Sequence, residues 1–225
     1  MKVTWLGQAG LLFEGNGLKI MVDPYLSDSC GEKNPKSKRR VAVDESFFDV
    51  RPDVIILTHD HLDHTDEQTL CHFLTEDSNV LVLASKNAWN HVRTAFGGNN
   101  NYVMFNPGTL WTEGETVFEA VYAEHSDDSA IGVIIDDGEK KYYVTGDTLY
   151  NEKVLEDIPS DIHAVFLPVN GVGNNMNATD GKKIAEKVGA KYSVPLHVGL
   201  FDDMTPDVFK APNRVLPEFF KEIEI

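Results

Sequence analysis

Residues 59–64 contain four side chains of the types that bind metal ions. His59 and His61 are two positions apart, so in an extended chain their imidazoles point to the same side. Asp63 and His64 follow where the chain is expected to turn into a helix. Imidazole and carboxylate groups suit Zn, Mn, Fe or Ni. The absence of nearby cysteines argues against a structural Cys-rich zinc site. This density of ligands favours a site for two adjacent metal ions over a solvent-exposed polar loop.

Further residues of the same chemical types follow predicted strands. Six short β-branched or aromatic runs each end in a His, Asp or Asn at the start of a loop. Binding and catalytic groups concentrate on loops that a rigid scaffold holds, and six cases exceed what the ordinary frequency of these residues explains. The residues are Asp23, His59, His125, Asp147, Asn170 and His197.

The elements that must position these residues alternate along the chain. Ten short runs bounded by Gly, Asp or Asn are predicted strands, and the first of them are joined as hairpins. The later strands alternate with helices. This order predicts an α+β fold in which two sheets pack together with helices outside, rather than one doubly wound sheet. At this length we expect one domain, residues 1–225, made of two sheet and helix halves. Helices are predicted at 66–75, 86–96, 150–157, 178–188 and 213–222.

The chain is strongly acidic, with 20 Lys and Arg against 36 Asp and Glu and a formal net charge of −16. Such a surface repels phosphate backbones and anionic membranes, so we expect neither nucleic acid nor a membrane as partner. No signal-peptide core and no membrane-length apolar stretch is present, and two cysteines are too few for a disulfide framework. We therefore expect a cytoplasmic protein, and a homo-oligomer is left open.

One segment departs from this acidic character. Residues 29–40 contain five Lys and Arg side chains. A charge run is usually a solvated loop, but an anionic substrate needs a local positive site in so acidic a protein. We therefore predict that the Lys36–Arg40 loop helps to hold the substrate. Arg39 and Arg40 are the better candidates, because a guanidinium can hold a phosphate or a carboxylate with two hydrogen bonds. The solvated loop stays as the alternative.

Together, these motifs resemble the metallo-β-lactamase superfamily. Its H-x-H-x-D-H hallmark is matched by residues 59–64, and the similarity extends over nearly the whole chain. The phrases WLGQAG, DPYLSDS, THDHLDHTD, TGDTLY and NGVGNNMN are similar to the branch that contains L-ascorbate-6-phosphate lactonase and related small metal-dependent hydrolases. The resemblance implies a four-layer αββα sandwich and a metal-dependent hydrolase, but it leaves the substrate undetermined.

The resemblance also implies two divalent ions per chain, with Zn or Mn expected and Fe or Ni as alternatives. Asp23 is expected to orient a ligand through its carboxylate. Many relatives carry His where this chain has Gln8, so no role carries over to that position. The implied ligands are His59, His61 and His125 for one ion, Asp63, His64 and His197 for the other, and Asp147 bridging both.

The expected nucleophile is a hydroxide shared by the two ions, because paired metal ions lower the pKa of bound water. Asp63 and Asp147 are the expected catalytic carboxylates, and Asp63 orients the nucleophile or receives its proton. Asn170 and Asn175 are expected to donate hydrogen bonds to the substrate, with turn formation as the alternative. The leading hypothesis is cleavage of a lactone or phosphoester in a small anionic metabolite. An iron-dependent oxidoreductase and a non-catalytic metal-binding module are the other two hypotheses.

Three histidines are expected to lie outside the site. His72 follows a helical apolar pattern from which it points to solvent, and His163 opens a buried strand. His91 belongs to a predicted helix and has no ligand partner in the sequence nearby.

Overall fold

The computed structural model describes residues 1–225 and contains two six-stranded β-sheets. In each sheet the earlier strands pair antiparallel as hairpins and the later ones pair parallel. The first sheet consists, in spatial order, of β1 (Lys2–Gly7), β2 (Gly10–Gly15), β3 (Leu18–Val22), β4 (Val54–Leu57), β5 (Leu81–Ala84) and β6 (Asn101–Met104). The second consists of β7 (Leu110–Glu113), β8 (Thr116–Tyr122), β9 (Ile131–Asp136), β10 (Lys141–Val144), β11 (Ile162–Pro168) and β12 (Tyr192–Leu196).

Four α-helices connect the strands, and none is both long and apolar enough to cross a membrane. They are α1 (Ser29–Lys33), α2 (Glu67–Leu70), α3 (Lys86–Ala95) and α4 (Ala178–Val188). Single 3₁₀ turns lie at Pro35–Ser37, Glu45–Asp49, Glu152–Leu155 and Pro206–Val208.

The hydrophobic core has three parts, which separate four layers. Between the sheets, the ring of Phe13 meets those of Tyr142 and Phe166 edge to face, at centroid distances of 5.5 and 5.7 Å. Apolar residues of α2 and α3 pack on the outer face of the first sheet, and α4 packs on the outer face of the second. The predicted αββα arrangement, and with it the fold class, is confirmed.

Several predicted elements are wrong. The first predicted helix is shorter, since α2 covers only Glu67–Leu70, and the predicted helix at 150–157 is a 3₁₀ turn. The predicted helix at 213–222 is absent, because Pro217 lies in its middle and supplies no N–H for the helical ladder. Strands β6 and β7 were not predicted; both are short, half-exposed strands at sheet edges. The single-domain organisation stays a prediction.

Candidate metal centre

The candidate ligands gather at one end of the sandwich, in loops that follow strands. Strands β3 and β4 are parallel neighbours in the first sheet, and β8, β10 and β12 point the same way in the second. Their carboxyl ends meet at a common edge, where sheets of this kind bind ligands. Each of these strands ends within three residues of one candidate: Asp23, His59, His125, Asp147 and His197.

Three imidazoles, those of His59, His61 and His125, form what we call the first cluster. Nδ1 of His61 lies 3.1 Å from Nε2 of His59 and 3.2 Å from Nε2 of His125. Two atoms that bind a tetrahedral zinc ion at about 2.0–2.1 Å stand about 3.3 Å apart. The three nitrogens therefore have the spacing of ligands around one ion.

Two histidines and two carboxylates, from Asp63, His64, Asp147 and His197, form the second cluster. Nε2 of His197 lies 3.2 Å from Oδ2 of Asp63 and 3.1 Å from Oδ2 of Asp147. Nε2 of His64 lies 3.3 Å from the same oxygen of Asp147 and 3.4 Å from Nε2 of His197. These distances again match ligands that share an ion, here with a mixed nitrogen and oxygen donor set.

One carboxylate oxygen of Asp147 has no partner. Its Oδ2 contacts both histidines of the second cluster and accepts a hydrogen bond from Nδ2 of Asn175 at 2.8 Å. Its Oδ1 is buried without any hydrogen bond. A buried charged oxygen is costly unless it is paired or binds a metal. The donor types, the spacing and this unpaired oxygen together fit a pair of divalent ions.

Burial and carboxylate charge shift the histidine pKa values in opposite directions in the two clusters. In the first, burial lowers the pKa of His59 and of His125 below the usual range, against the pull of Asp147. In the second, burial acts in the same direction, but the nearby carboxylates outweigh it. They raise the pKa of His64 well above its usual value and that of His197 to about 9. The nearby carboxylates therefore dominate the pKa values of the second cluster, whereas burial dominates those of the first.

Asp23 fixes the orientation of a ligand, His64. Its Oδ2 lies 2.8 Å from Nδ1 of His64, and its two oxygens accept hydrogen bonds from the backbone N–H and the hydroxyl of Thr58. Because Nδ1 donates to Asp23, Nε2 of His64 is left free to bind an ion. The backbone of Asp23 is left-handed, with φ of 43°, a conformation that a non-glycine residue keeps only where its surroundings hold it.

Gln8 belongs to the second cluster, although the sequence supplied no role for it. Its Nε2 donates to Oδ2 of Asp63 at 2.8 Å and lies 3.1 Å from Nε2 of His197. Its carbonyl oxygen accepts from the backbone N–H of His197 at 3.0 Å. The sequence signal that could have found it is weak: a polar residue after Gly7, where a buried strand ends.

A set of hydrogen bonds among Asp127, Asp60 and His91, which we call the latch, supports the loop of the first cluster. The sequence analysis did not find it. One oxygen of Asp127 accepts from the backbone N–H of Asp60, between two ligands, and the other accepts from Ser129 and Asn87. The side chain of Asp60 lies 2.6 Å from Nδ1 of His91, on α3. The spacing of Asp127 and Ser129 is typical of an Asx turn and was the available signal.

The three histidines expected outside the site take different positions. His91 has no ligand partner nearby in the sequence, but the fold brings its ring to the carboxylates of Asp60 and Glu67, and it belongs to neither cluster. It lines a cavity of 860 Å³ together with His61. His72 is exposed and packs on Phe48. His163 packs between two tyrosine rings, away from the clusters.

Arg39 and Arg40 do not line the cavity above the clusters, contrary to the sequence prediction. Arg39 donates to the carbonyl oxygens of residues 25, 27 and 41, because its backbone position places the guanidinium among unpaired loop carbonyls. Arg40 forms an exposed ion pair with Asp203. The only Lys or Arg that lines this cavity of 540 Å³ is Lys36, beside Ser37.

Asn170 and Asn175 line the same cavity, and each also contacts a candidate ligand. The side-chain amide of Asn170 lies 2.9 Å from Nδ1 of His197. Asn175 donates to Asp147, as described above. Both side chains therefore orient ligands, and their contact with a substrate stays a prediction.

The family of the chain follows from comparison with known proteins. A family model described as a beta-lactamase superfamily domain matches residues 2–197, which include every candidate ligand. This chain belongs to that superfamily. Within it, the chain belongs with the UPF0173 metal-dependent hydrolases. A relative of that name from Carboxydothermus hydrogenoformans is 30% identical, and the alignment covers 96% of this chain and 93% of the relative. The predicted superfamily is thus confirmed.

Solved structures share the fold at lower identity. An isothiocyanate hydrolase from Delia radicum gut bacteria superposes with a TM-score of 0.78 at 18% identity, covering 100% of this chain and 99% of that one. CmlA, a diiron β-hydroxylase from Streptomyces venezuelae, superposes with a TM-score of 0.69 at 19% identity, covering 88% of this chain and 45% of that one. These two proteins are named for different reactions, so the fold alone does not decide the chemistry.

Proposed function

We propose that this chain hydrolyses a lactone or a phosphoester of a small anionic metabolite, with two divalent ions, Zn or Mn, at the two clusters. The observation that carries the proposal is that ligands of both clusters, including Asp147, meet at the wall of one cavity of 540 Å³. Membership among metal-dependent hydrolases supports the reaction class. The acidic surface argues against a nucleic-acid substrate.

When bound, two such ions supply a nucleophile from water at neutral pH and polarise the oxygen of the bond that breaks. The side chains of this chain then have separate tasks. We assign to Asp147 the bridge between the two clusters, because its Oδ2 contacts His64 and His197 while its buried Oδ1 has no partner, and Asn175 keeps its carboxylate in place. Asp63 lines the cavity, and its Oδ1 makes no hydrogen bond within the protein. We assign to this oxygen the proton of the attacking water.

No cysteine is needed as nucleophile. Cys30 lines the cavity, but burial raises the pKa of its thiol to about 11, so the reactive thiolate is scarce at neutral pH. Cys71 is exposed and does not line the cavity. The chemistry therefore belongs to the carboxylates, the imidazoles and the groups they bind.

Lys36 is the proposed anion-binding residue. It is the one cationic Lys or Arg side chain at a cavity that also contains Asp63, Asp147 and Asp202. Without it, the carboxylates would repel an anionic substrate before any ion contact forms. Lys36 thereby takes the role that sequence reasoning gave to Arg39 and Arg40.

The first experiment separates the three candidate functions. Metal-free protein is loaded with Zn²⁺, Mn²⁺ or Fe²⁺ and offered lactones, phosphomonoesters and phosphodiesters, each beside a neutral analogue. We expect turnover of an anionic member with Zn²⁺ or Mn²⁺. Oxygen consumption with Fe²⁺ and no hydrolysis would support the oxidoreductase instead. Full metal loading without any turnover across the panel would support the non-catalytic module.

The second experiment tests the substrate contact. Lys36→Met should lower kcat/KM on the anionic substrate by roughly ten- to a hundredfold, since it removes a charge-assisted hydrogen bond. The neutral analogue should be unaffected. Lys38→Met is the matched control, because Lys38 lies two residues away and does not line the cavity. Equal losses in the two variants, or none in either, would overturn the role of Lys36.

A further inference from the structure

The end of the chain forms an extended strap, residues 213–223, that connects the two sheets. Near its start, backbone hydrogen bonds at Asn213 and Val215 flank Ser193 of β12. Near its end, the N–H of Phe220 donates to the carbonyl of Trp5 in β1 at 2.7 Å. Strands β12 and β1 are edge strands of different sheets. The strap therefore joins the two halves along one side of the sandwich.

Phe219 lies between these two attachment points. Its ring stacks on Trp5, with centroids 4.2 Å apart and planes inclined by 19°. It also packs against two glycines: a Cβ built on Gly7 would stand 3.2 Å from Phe219, and one built on Gly199 would stand 3.6 Å from it. Both glycines have positive φ, of 99° and 78°. The ring of Phe219 thus fills the space that a side chain would need at either glycine.

These two turns carry Gln8 and His197 of the second cluster. Both residues are left-handed, with φ of 49° and 64°, a conformation that non-glycine residues adopt only where the surroundings hold them. One atom ties them together. The carbonyl oxygen of Gln8 accepts from the N–H of His197 and from Nε1 of Trp5, each at 3.0 Å. The stacked pair of Trp5 and Phe219 is therefore linked, through one hydrogen bond to the Gln8 carbonyl, to the backbone of His197.

We propose that Phe219 is a positioning residue for the second cluster, holding the turns of Gln8 and His197 together from outside the site. This inference rests on the proposed function only in taking the second cluster as an ion site. Loss of the ring should loosen the His197 turn and leave the first cluster unchanged, because Asp127 holds that cluster through separate contacts.

The test compares Phe219→Ala with Phe220→Ala. Phe220 is the adjacent aromatic residue, but its ring packs on Phe47 and is not among the atoms nearest to a Cβ built on Gly7 or Gly199. In metal-free protein, amide hydrogen exchange is measured at His197 and at Asp60, whose N–H bonds to Asp127 in the first cluster. We expect exchange at His197 to rise by on the order of tenfold or more in Phe219→Ala, with Asp60 unchanged. Phe220→Ala should change neither.

The second readout is zinc release to a chromophoric chelator. In Phe219→Ala one of two zinc equivalents should dissociate faster by a similar factor, and Phe219→Tyr should restore the original rate. Should Phe219→Ala unfold the chain, Phe219→Leu takes its place and the same two amides decide. Unchanged exchange at His197 would overturn the inference whatever the metal does. If exchange at His197 is faster in Phe219→Ala than in the parent, but the parent binds no zinc, the positioning role is supported and the proposed function is refuted.

Discussion

The two clusters share imidazole side chains but differ in their carboxylates and in the contacts that hold them. The first offers three imidazoles and no carboxylate. Its loop is held by the hydrogen bond that the N–H of Asp60 donates to Asp127 and by the contact of the Asp60 side chain with His91. Two of its three histidines are half-exposed. Its imidazoles carry no negative charge that the protein must compensate. A partly exposed loop can therefore hold them.

The second cluster is deeper and carries two carboxylates. It is held by left-handed backbone at Asp23, Gln8 and His197 and by the packing of Phe219 on Trp5. Buried carboxylates require compensating charge, which the histidines supply in the metal-free protein. The comparison teaches that polar contacts hold the loop of the first cluster, whereas the second cluster combines hydrogen bonds to its ligands with left-handed backbone that packing supports.

The largest expected effect comes from Asp147, the residue that we propose the clusters share. Asp147→Ala should lower kcat/KM by more than about a hundredfold and release metal, since even groups that merely orient a ligand are worth ten- to a hundredfold. Metal content by atomic emission and steady-state kinetics check this together. His163→Gln, distant from both clusters, is the control. Full metal content with full activity in Asp147→Ala would show that the clusters are independent.

The next effect should be confined to the second cluster. Asp23→Asn replaces the acceptor for Nδ1 of His64 and should lower the affinity for one of the two ions by roughly ten- to a hundredfold. Competition with a chelator of known affinity measures each binding step. We expect the other step to be unchanged. Equal weakening of both steps would mean that Asp23 supports the whole end of the sandwich rather than one cluster.

The matching change for the first cluster is Asp127→Ala. It removes the acceptor for the N–H of Asp60, between His59 and His61, and should lower the affinity for the ion at the first cluster by about tenfold. The same competition experiment applies. Asp128→Ala, at the neighbouring acidic residue, is the control. If Asp127→Ala weakened the same ion as Asp23→Asn, the separation into two supporting systems would be wrong.

The smallest effect concerns pH and the latch of the first cluster. Burial lowers the pKa of His91, but hydrogen bonds to Glu67 and Asp60 outweigh it and raise the pKa above its usual value. A pKa that is higher in the folded state stabilises the protein fully below about 6.5 and loses this contribution as pH rises through the folded pKa. His91→Gln should therefore lower the Tm of metal-free protein at pH 5.5 and much less at pH 9.

The difference at pH 5.5 should be no more than about 2–4 °C, because partly exposed ion pairs contribute at most about 1 kcal/mol. Scanning calorimetry of both proteins across this range measures it. A Tm difference that grows with pH would contradict the assigned sign. A difference independent of pH would indicate that His91 acts by packing alone.

Much of the fold was predictable because its signals are local. The strands before Asp23, His59, His125, Asp147 and His197 are short apolar runs, and the side-chain types that follow them are visible in the sequence. Edge strands β6 and β7 were missed because they are half-exposed and so lack a continuous apolar run. The predicted C-terminal helix failed at Pro217, where a local backbone rule outweighs helical apolar spacing.

The sequence by itself determined the residue types and the ligand loop at 59–64, because two-residue spacing and strand ends act within a few residues. Only the tertiary structure decided which groups these ligands meet. It directed Arg39 to backbone carbonyls, brought Lys36 to the cavity, placed Gln8 beside His197 and packed Phe219 against Gly199 in the turn that follows His197. The contacts of Arg39 are with residues up to 14 positions away, whereas that of Gln8 with His197 joins residues 189 positions apart. The packing of two sheets and a strap creates them, and no local pattern records that packing.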